Sequence, residues 1–116
     1  MQIQVNTDDN VEGREELIGR VEAEVGATLA RFSDQVTRVE VHLGDENAGK
    51  SGSADKRCRM EARPSGQQPV AITHHAASLR EAYDGAAKKL RNLLETKFGR
   101  QNDHKGAASI RDNERR

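Results

Sequence analysis

Basic side chains offer the clearest chemistry in this sequence. Arg57, Arg59 and Arg63 fall at alternate positions, while Arg80, Lys88, Lys89, Arg91 and Lys97 recur along one helical stretch. Sets of this kind suit phosphates, because several cations near adjacent phosphates displace counterions and donate charge-assisted hydrogen bonds. A plain solvated face would carry the same residue types, so the pattern alone leaves both readings open. His42, His74, His75 and Cys58 match no structural zinc spacing, and strand alternation sends His74 and His75 to opposite faces. No metal and no cofactor are expected. Cys58 alternates inward with Met60 and reads as a core residue, and Tyr83 reads as a core residue with its hydroxyl at the edge. The carboxylates of Glu12, Glu15, Glu16, Glu22 and Glu24 crowd one helix as a solvated surface. No acid–base pair with an orienting partner is visible and no glycine loop with phosphate-cradle spacing is expected after a strand, so an enzyme is not expected.

The elements that would position the cations belong to a chain of 116 residues, which sets the expectation of one domain. Leu, Ile, Val and Phe number only 21, near the level of disordered chains, but 19 basic and 19 acidic residues cancel. A small, polar, alanine-padded globular domain is the consequence. The neutrality hides an asymmetry. Residues 1–55 carry twelve acidic and five basic side chains, and residues 56–116 carry seven acidic and fourteen basic. The basic half points to a polyanionic partner. Neither a membrane span nor a secretory leader is expected, and a single cysteine fits a reducing cytoplasm. Three aromatic residues leave little for stacking on single-stranded bases.

Gln2–Val5 alternates as a short strand. From Glu12 to about Arg31, Leu17, Val21, Val25, Leu29 and Phe32 stack on one helical face. Val36–Leu43 alternates again, with Val39, Val41 and Leu43 inward. Residues 44–55 are polar and rich in glycine and serine, which predicts a long mobile hairpin loop. Strands follow at Lys56–Arg63 and Val70–His74. Ser78 with Glu81 reads as a capping box opening a last helix, for which Gly99 is the expected stop. The order β-α-β-β-β-α predicts an α+β fold: a four-stranded mixed sheet with two helices packed on one face. The domain is expected over residues 1–99, with a flexible polar tail over residues 100–116.

That order, together with Leu79-Arg80-Glu81-Ala82-Tyr83-Asp84-Gly85-Ala86-Ala87-Lys88-Lys89-Leu90-Arg91, resembles the ribosome hibernation-promoting factor and ribosome-associated inhibitor family, also described as sigma-54 modulation proteins. His104-Lys105-Gly106 through Ala108-Ser109-Ile110-Arg111-Asp112 is similar to the tail of its short members. The resemblance spans nearly the whole chain and is most specific in the last helix. It implies binding to the small ribosomal subunit, in the channel between head and body, with translation stopped under stress. Lys89 falls on the family's helix lysine. The basic residues usual one and two turns further on fall at Asn92 and Thr96, with Arg91 and Lys97 adjacent.

The resulting expectation is a cytoplasmic translation inhibitor, monomeric when free, that clamps ribosomal RNA phosphates with Lys88, Lys89, Arg91, Arg80, Lys97, Arg57, Arg59 and Arg63. It needs no small-molecule substrate and no membrane. Two rivals stand beside it: a protein-interaction module of the same fold without ribosome binding, and a generic structured-RNA binder.

Overall fold

The computed structural model describes residues 1–8, 13–45 and 55–107, the side chains as far as residue 99. The expected hairpin loop lies outside the described residues at positions 46–54, as do Glu12 and positions 108–116 of the expected tail.

Four strands, β1 (Gln2–Thr7), β2 (Val36–Asp45), β3 (Lys56–Pro64) and β4 (Val70–Ala76), form one sheet in the order β1-β2-β3-β4. β1 runs parallel to β2, and β2, β3 and β4 form an antiparallel meander. The parallel pair follows from the helix between its strands, since a crossover returns the chain in the same direction. The register aligns Val5, Val41, Met60 and Ile72 in one row across the sheet. Val41 and Met60 are fully buried there, with Val5 and Ile72 packed against them.

Both helices, α1 (Arg14–Thr28) and α2 (Leu79–Ala107), cover that row. α1 starts two residues later than the spacing predicts. Gly13 precedes it at φ 64°, a left-handed conformation that glycine adopts without a Cβ penalty. It also ends earlier. Leu29 leaves helical geometry at φ −103° and ψ 12°, and a 3-10 turn over Ala30–Phe32 then carries Phe32 into the core. Gly66 makes the β3–β4 turn. Gln67 N donates to Pro64 O at 3.3 Å, with Gly66 at φ 70° in the third turn position, as a type II turn requires.

α2 opens as expected at Ser78, whose Oγ accepts the Glu81 N–H at 3.1 Å and donates to Glu81 Oε1 at 3.0 Å. The expected stop at Gly99 is wrong: the helix runs on to Ala107. A glycine inside a helix costs only about 1 kcal/mol against alanine. Phe98, just before it, is buried and stacks on Phe32 with ring centroids 5.7 Å apart, so packing carries the helix into that position. Arg31 braces the same junction, with Nη1 2.6 Å from Glu95 Oε2 and its guanidinium 5.4 Å above the Phe32 ring.

Candidate nucleic-acid interface

With both helices on one face, the sheet's other face is open. Alternation on β3 buries Cys58, Met60 and Ala62 and turns Arg57, Arg59 and Arg63 outward. Cross-strand pairing adds neighbours from both sides. Arg38 stands opposite Arg63 and His42 opposite Arg59 on β2, with His75 opposite Arg57 and Thr73 opposite Arg59 on β4. At one end the charge is spent internally. Arg63 lies 3.6 Å from Glu40 and 3.3 Å from Glu61, and Arg38 lies 3.4 Å from Glu40 and bonds Gln4. At the other end Arg57 and Arg59 have no ion pair among the described residues, and Arg57 Nε is buried without a hydrogen-bond partner. Arg38 on β2 belongs to the same open face as the β3 arginines. The alternation of β2 carries the signal, because Arg38 shares an outward parity with Glu40 and His42.

The hairpin base fixes where these arginines start. Lys56 Nζ lies 2.9 Å from Asp55 and 3.4 Å from Asp45, and Asp55 is only 3% exposed. Asp55 and Asp45 together hold the Lys56 ammonium above its ordinary pKa. Next to it, Gly44 is required by close approach: a Cβ there would strike the Asp8 carboxylate and come within 3.2 Å of the Arg57 guanidinium.

The cations of α2 occupy the opposite side of the molecule. At about 100° per residue, Arg80, Lys88 and Arg91 fall within an arc of roughly 80°, while Lys89 lies roughly 100° beyond Lys88. Lys88 is tied down, its Nζ 3.1 Å from Asp84. That bond holds the Asp84 carboxyl below its usual range. Arg80, Lys89, Arg91 and Lys97 have no ion pair among the described residues. Asn92 and Thr96 are exposed, and the Thr96 hydroxyl donates to Asn92 O at 3.1 Å. The eight cations thus form two groups with the sheet between them.

The remaining chemistry-bearing residues fall where their spacing predicts. Cys58 is fully buried, and burial pushes its thiol up to about 12. Tyr83 is in the core at 6% exposure. His74 faces inward on β4 and His75 outward. Among the described residues no group of three or more His, Cys, Asp or Glu side chains converges as metal ligands, and no helix is long and apolar enough to cross a membrane. A groove of about 820 Å³ between α1 and α2 mixes Glu16, Glu24, Arg20 and Arg80, so it favours neither sign of ligand. The expectation that no glycine loop has phosphate-cradle spacing is wrong for the sequence itself, since residues 44–51 read G-x-x-x-x-G-K-S. Such loops seat phosphate at the start of a following helix. The next described element here is β3, antiparallel to β2.

Residues 3–102 match the family described as Sigma 54 modulation protein / S30EA ribosomal protein. No curated protein matches the chain. Among solved structures, the N-terminal domain of Protein Y from Thermus thermophilus is 23% identical, with 83% of this chain and 98% of that chain covered at a TM-score of 0.65. A ribosomal subunit interface protein from Coxiella burnetii is 12% identical, with 85% and 99% covered at a TM-score of 0.62. At these identities the likeness is one of fold.

Proposed function

Since the chain belongs to the Sigma 54 modulation protein / S30EA ribosomal protein family, we propose that it is a cytoplasmic, ribosome-associated translation inhibitor. It binds the small subunit through ribosomal RNA phosphates, blocks the decoding channel by occupying it, and performs no chemistry of its own. The names of its structural neighbours, one of them a ribosomal subunit interface protein, favour the same partner. The observation that carries the reading is the set of six cations, Arg57, Arg59, Arg80, Lys89, Arg91 and Lys97, that the described fold leaves without an ion pair. A domain of balanced charge that keeps these cations unneutralised holds them ready for an external anion. Structured RNA is read largely by shape and backbone, which suits a surface poor in aromatics. The binding unit is residues 1–99, with residues 100–116 beyond it.

Sedimentation of the purified protein with small ribosomal subunits over a range of salt tests this. Binding should weaken steeply as salt rises. Changing Lys88, Lys89 and Arg91 together to Gln should leave the circular dichroism unchanged and weaken binding strongly. Changing Glu15, Glu16 and Glu22 to Gln should leave binding unchanged or tighten it. A wild-type protein that fails to bind subunits at low salt would sink the proposal and favour the protein-interaction module.

A further inference from the structure

We propose that His42 completes a phosphate seat at the hairpin end of the open sheet face, where it joins Arg57 and Arg59 in holding one phosphate of the RNA backbone and does so as the imidazolium. The inference rests on the function proposed above and adds to it a further contact and a dependence on pH.

Register assembles the seat. Asn6, His42, Arg59 and Thr73 form one row across the four strands, and Gly44, Arg57 and His75 belong to the next. Residues directly opposite one another on neighbouring strands have Cβ atoms about 5 Å apart, and successive rows on one face follow at about 7 Å. Arg59 therefore faces His42 directly. Glycine at position 44 brings Arg57 to the same place. With no side chain on β2 in its way, the Arg57 guanidinium leans across from β3, 3.2 Å from where a Gly44 Cβ would lie. That puts it one row from His42 along the same strand. Three nitrogen-bearing side chains from two strands thus border one patch. The patch is open to solvent, since both helices cover the other face, the His42 side chain is 42% exposed and Arg59 is exposed.

The charges around His42 oppose one another. From β1 come uncharged Asn6 and, over Gly44, the Asp8 carboxylate. Glu40 lies on β2 itself, with Oε1 3.8 Å from His42 Nε2, too far for a hydrogen bond. Arg57, Arg59 and Glu61 stand on β3, with His75 beyond Arg57 on β4. The two glutamates are engaged elsewhere, Glu40 with Arg38 at 3.4 Å and Arg63 at 3.6 Å, and Glu61 with Arg63 at 3.3 Å. Arg57 and Arg59 have no ion pair among the described residues. Their field works against a positive charge on the ring, and that of Glu40 works for it.

A phosphate in the patch tips this balance. It cancels the guanidinium field and accepts an N–H bond from the ring, and both effects favour the imidazolium. Binding therefore takes up a proton, and affinity rises as pH falls through the range in which histidine titrates. One linked proton limits that rise to about tenfold per pH unit. A backbone phosphodiester keeps its single charge throughout, so the dependence belongs to the protein.

Subunit sedimentation at fixed salt, at about pH 6 and about pH 8, reads the linkage. The wild type should bind several-fold tighter at the lower pH. His42→Gln should lose that difference with its circular dichroism unchanged, and His74→Gln and His75→Gln should keep it. A difference that survives in His42→Gln overturns the seat. Sulfate, whose charge is the same at both pH values, is the small probe. In nuclear magnetic resonance on the full chain, sulfate should shift the His42 ring signals, more strongly at the lower pH. Arg57→Gln with Arg59→Gln should abolish that response. A ring that ignores sulfate at both pH values overturns the seat, whatever the subunits do. A sulfate response with pH-independent subunit binding would leave an inorganic-anion seat and overturn RNA as its occupant. Failure of the wild type to bind subunits at either pH would overturn the proposed function, while the sulfate titration still decides the seat.

Discussion

On the open face of the sheet, the arginines of β3 stand two residues apart and share a direction through the strand's own geometry. The cations of α2 belong to a helix, where residues 80, 88 and 91 share an arc and residue 89 does not. The two regions also handle their surplus charge differently. The sheet neutralises one end with Glu40 and Glu61 and leaves Arg57 and Arg59 unpaired at the hairpin end. The helix ties Lys88 to Asp84 and leaves Lys89 on the side of β4. Three cations on the strand therefore give a compact patch, and five on the helix a divided one. What distinguishes them is the period of the element that carries them.

The strongest way to break the comparison is to unseat one of the two elements. Phe32 is 4% exposed and stacks on Phe98, which anchors the far half of α2. Phe32→Ala should cost about 3–5 kcal/mol, a large share of the roughly 5–15 kcal/mol available to a small domain. Urea unfolding should show it as a lower midpoint, and the helix cations should lose their fixed bearings before the sheet arginines do. A loss under about 1 kcal/mol would mean the aromatic pair is not what holds α2 down.

Paired double variants sharpen the comparison next. Each lost phosphate contact should flatten the dependence of log affinity on log salt by about 0.9. Arg57→Gln with Arg59→Gln, and Lys89→Gln with Arg91→Gln, should each flatten it by up to about twice that. Lys88→Gln and Arg63→Gln should change it less, because Asp84, Glu40 and Glu61 already neutralise those charges. If only one pair matters in subunit sedimentation, only that face touches phosphate.

A smaller effect should appear at the helix–strand seam. Gly85→Ala adds a methyl group where the His74 ring lies, and overpacking of this kind costs about 1–3 kcal/mol. Gains in helix propensity offset about 1 kcal/mol of that. In a His74→Ala background the clash disappears, so the same substitution should become neutral or stabilising. Thermal melts of the four proteins in this cycle measure the coupling, and additive effects would show that the ring and the glycine do not interact.

How far this arrangement was legible beforehand depends on the range of the forces that produce it. Strand order, inward residues and the shared helix face follow from alternation and helical spacing, as Val5, Val41, Met60 and Ile72 show by lining up across all four strands. The outward parity of Arg57, Arg59 and Arg63 is equally local. Element ends were less legible. Gly99 looks like a stop, but Phe98 packing on Phe32 from the other end of the chain carries the helix past it. The neutralisation of Arg63 and Lys88 was not visible either. Glu61 and Asp84 are sequence neighbours, but rotamers and cross-strand partners such as Glu40 decide which charges meet. The notch that receives His74 depends on register between β4 and α2, which no local pattern encodes.

The smallest expected effect concerns pH, and its sign follows from that notch. Burial, Lys89 and His75 lower the folded-state pKa of His74 from its ordinary 6.5. Between that lowered value and 6.5 the unfolded chain binds more protons than the folded one, so stability rises with pH there. The contribution is complete above about 6.5 and is lost as pH falls through the folded value. Asp84 has a window of its own. Its carboxyl, held below the ordinary 3.8 chiefly by Lys88, stabilises above 3.8 and loses that contribution only in stronger acid. Stability measured in a buffer without phosphate should therefore show a shallow decline below about pH 6.5, well separated from the acid limb. His74→Gln should remove the shallow decline and keep the limb. A decline unchanged in His74→Gln would place its origin in another histidine and leave the seam without a titrating group.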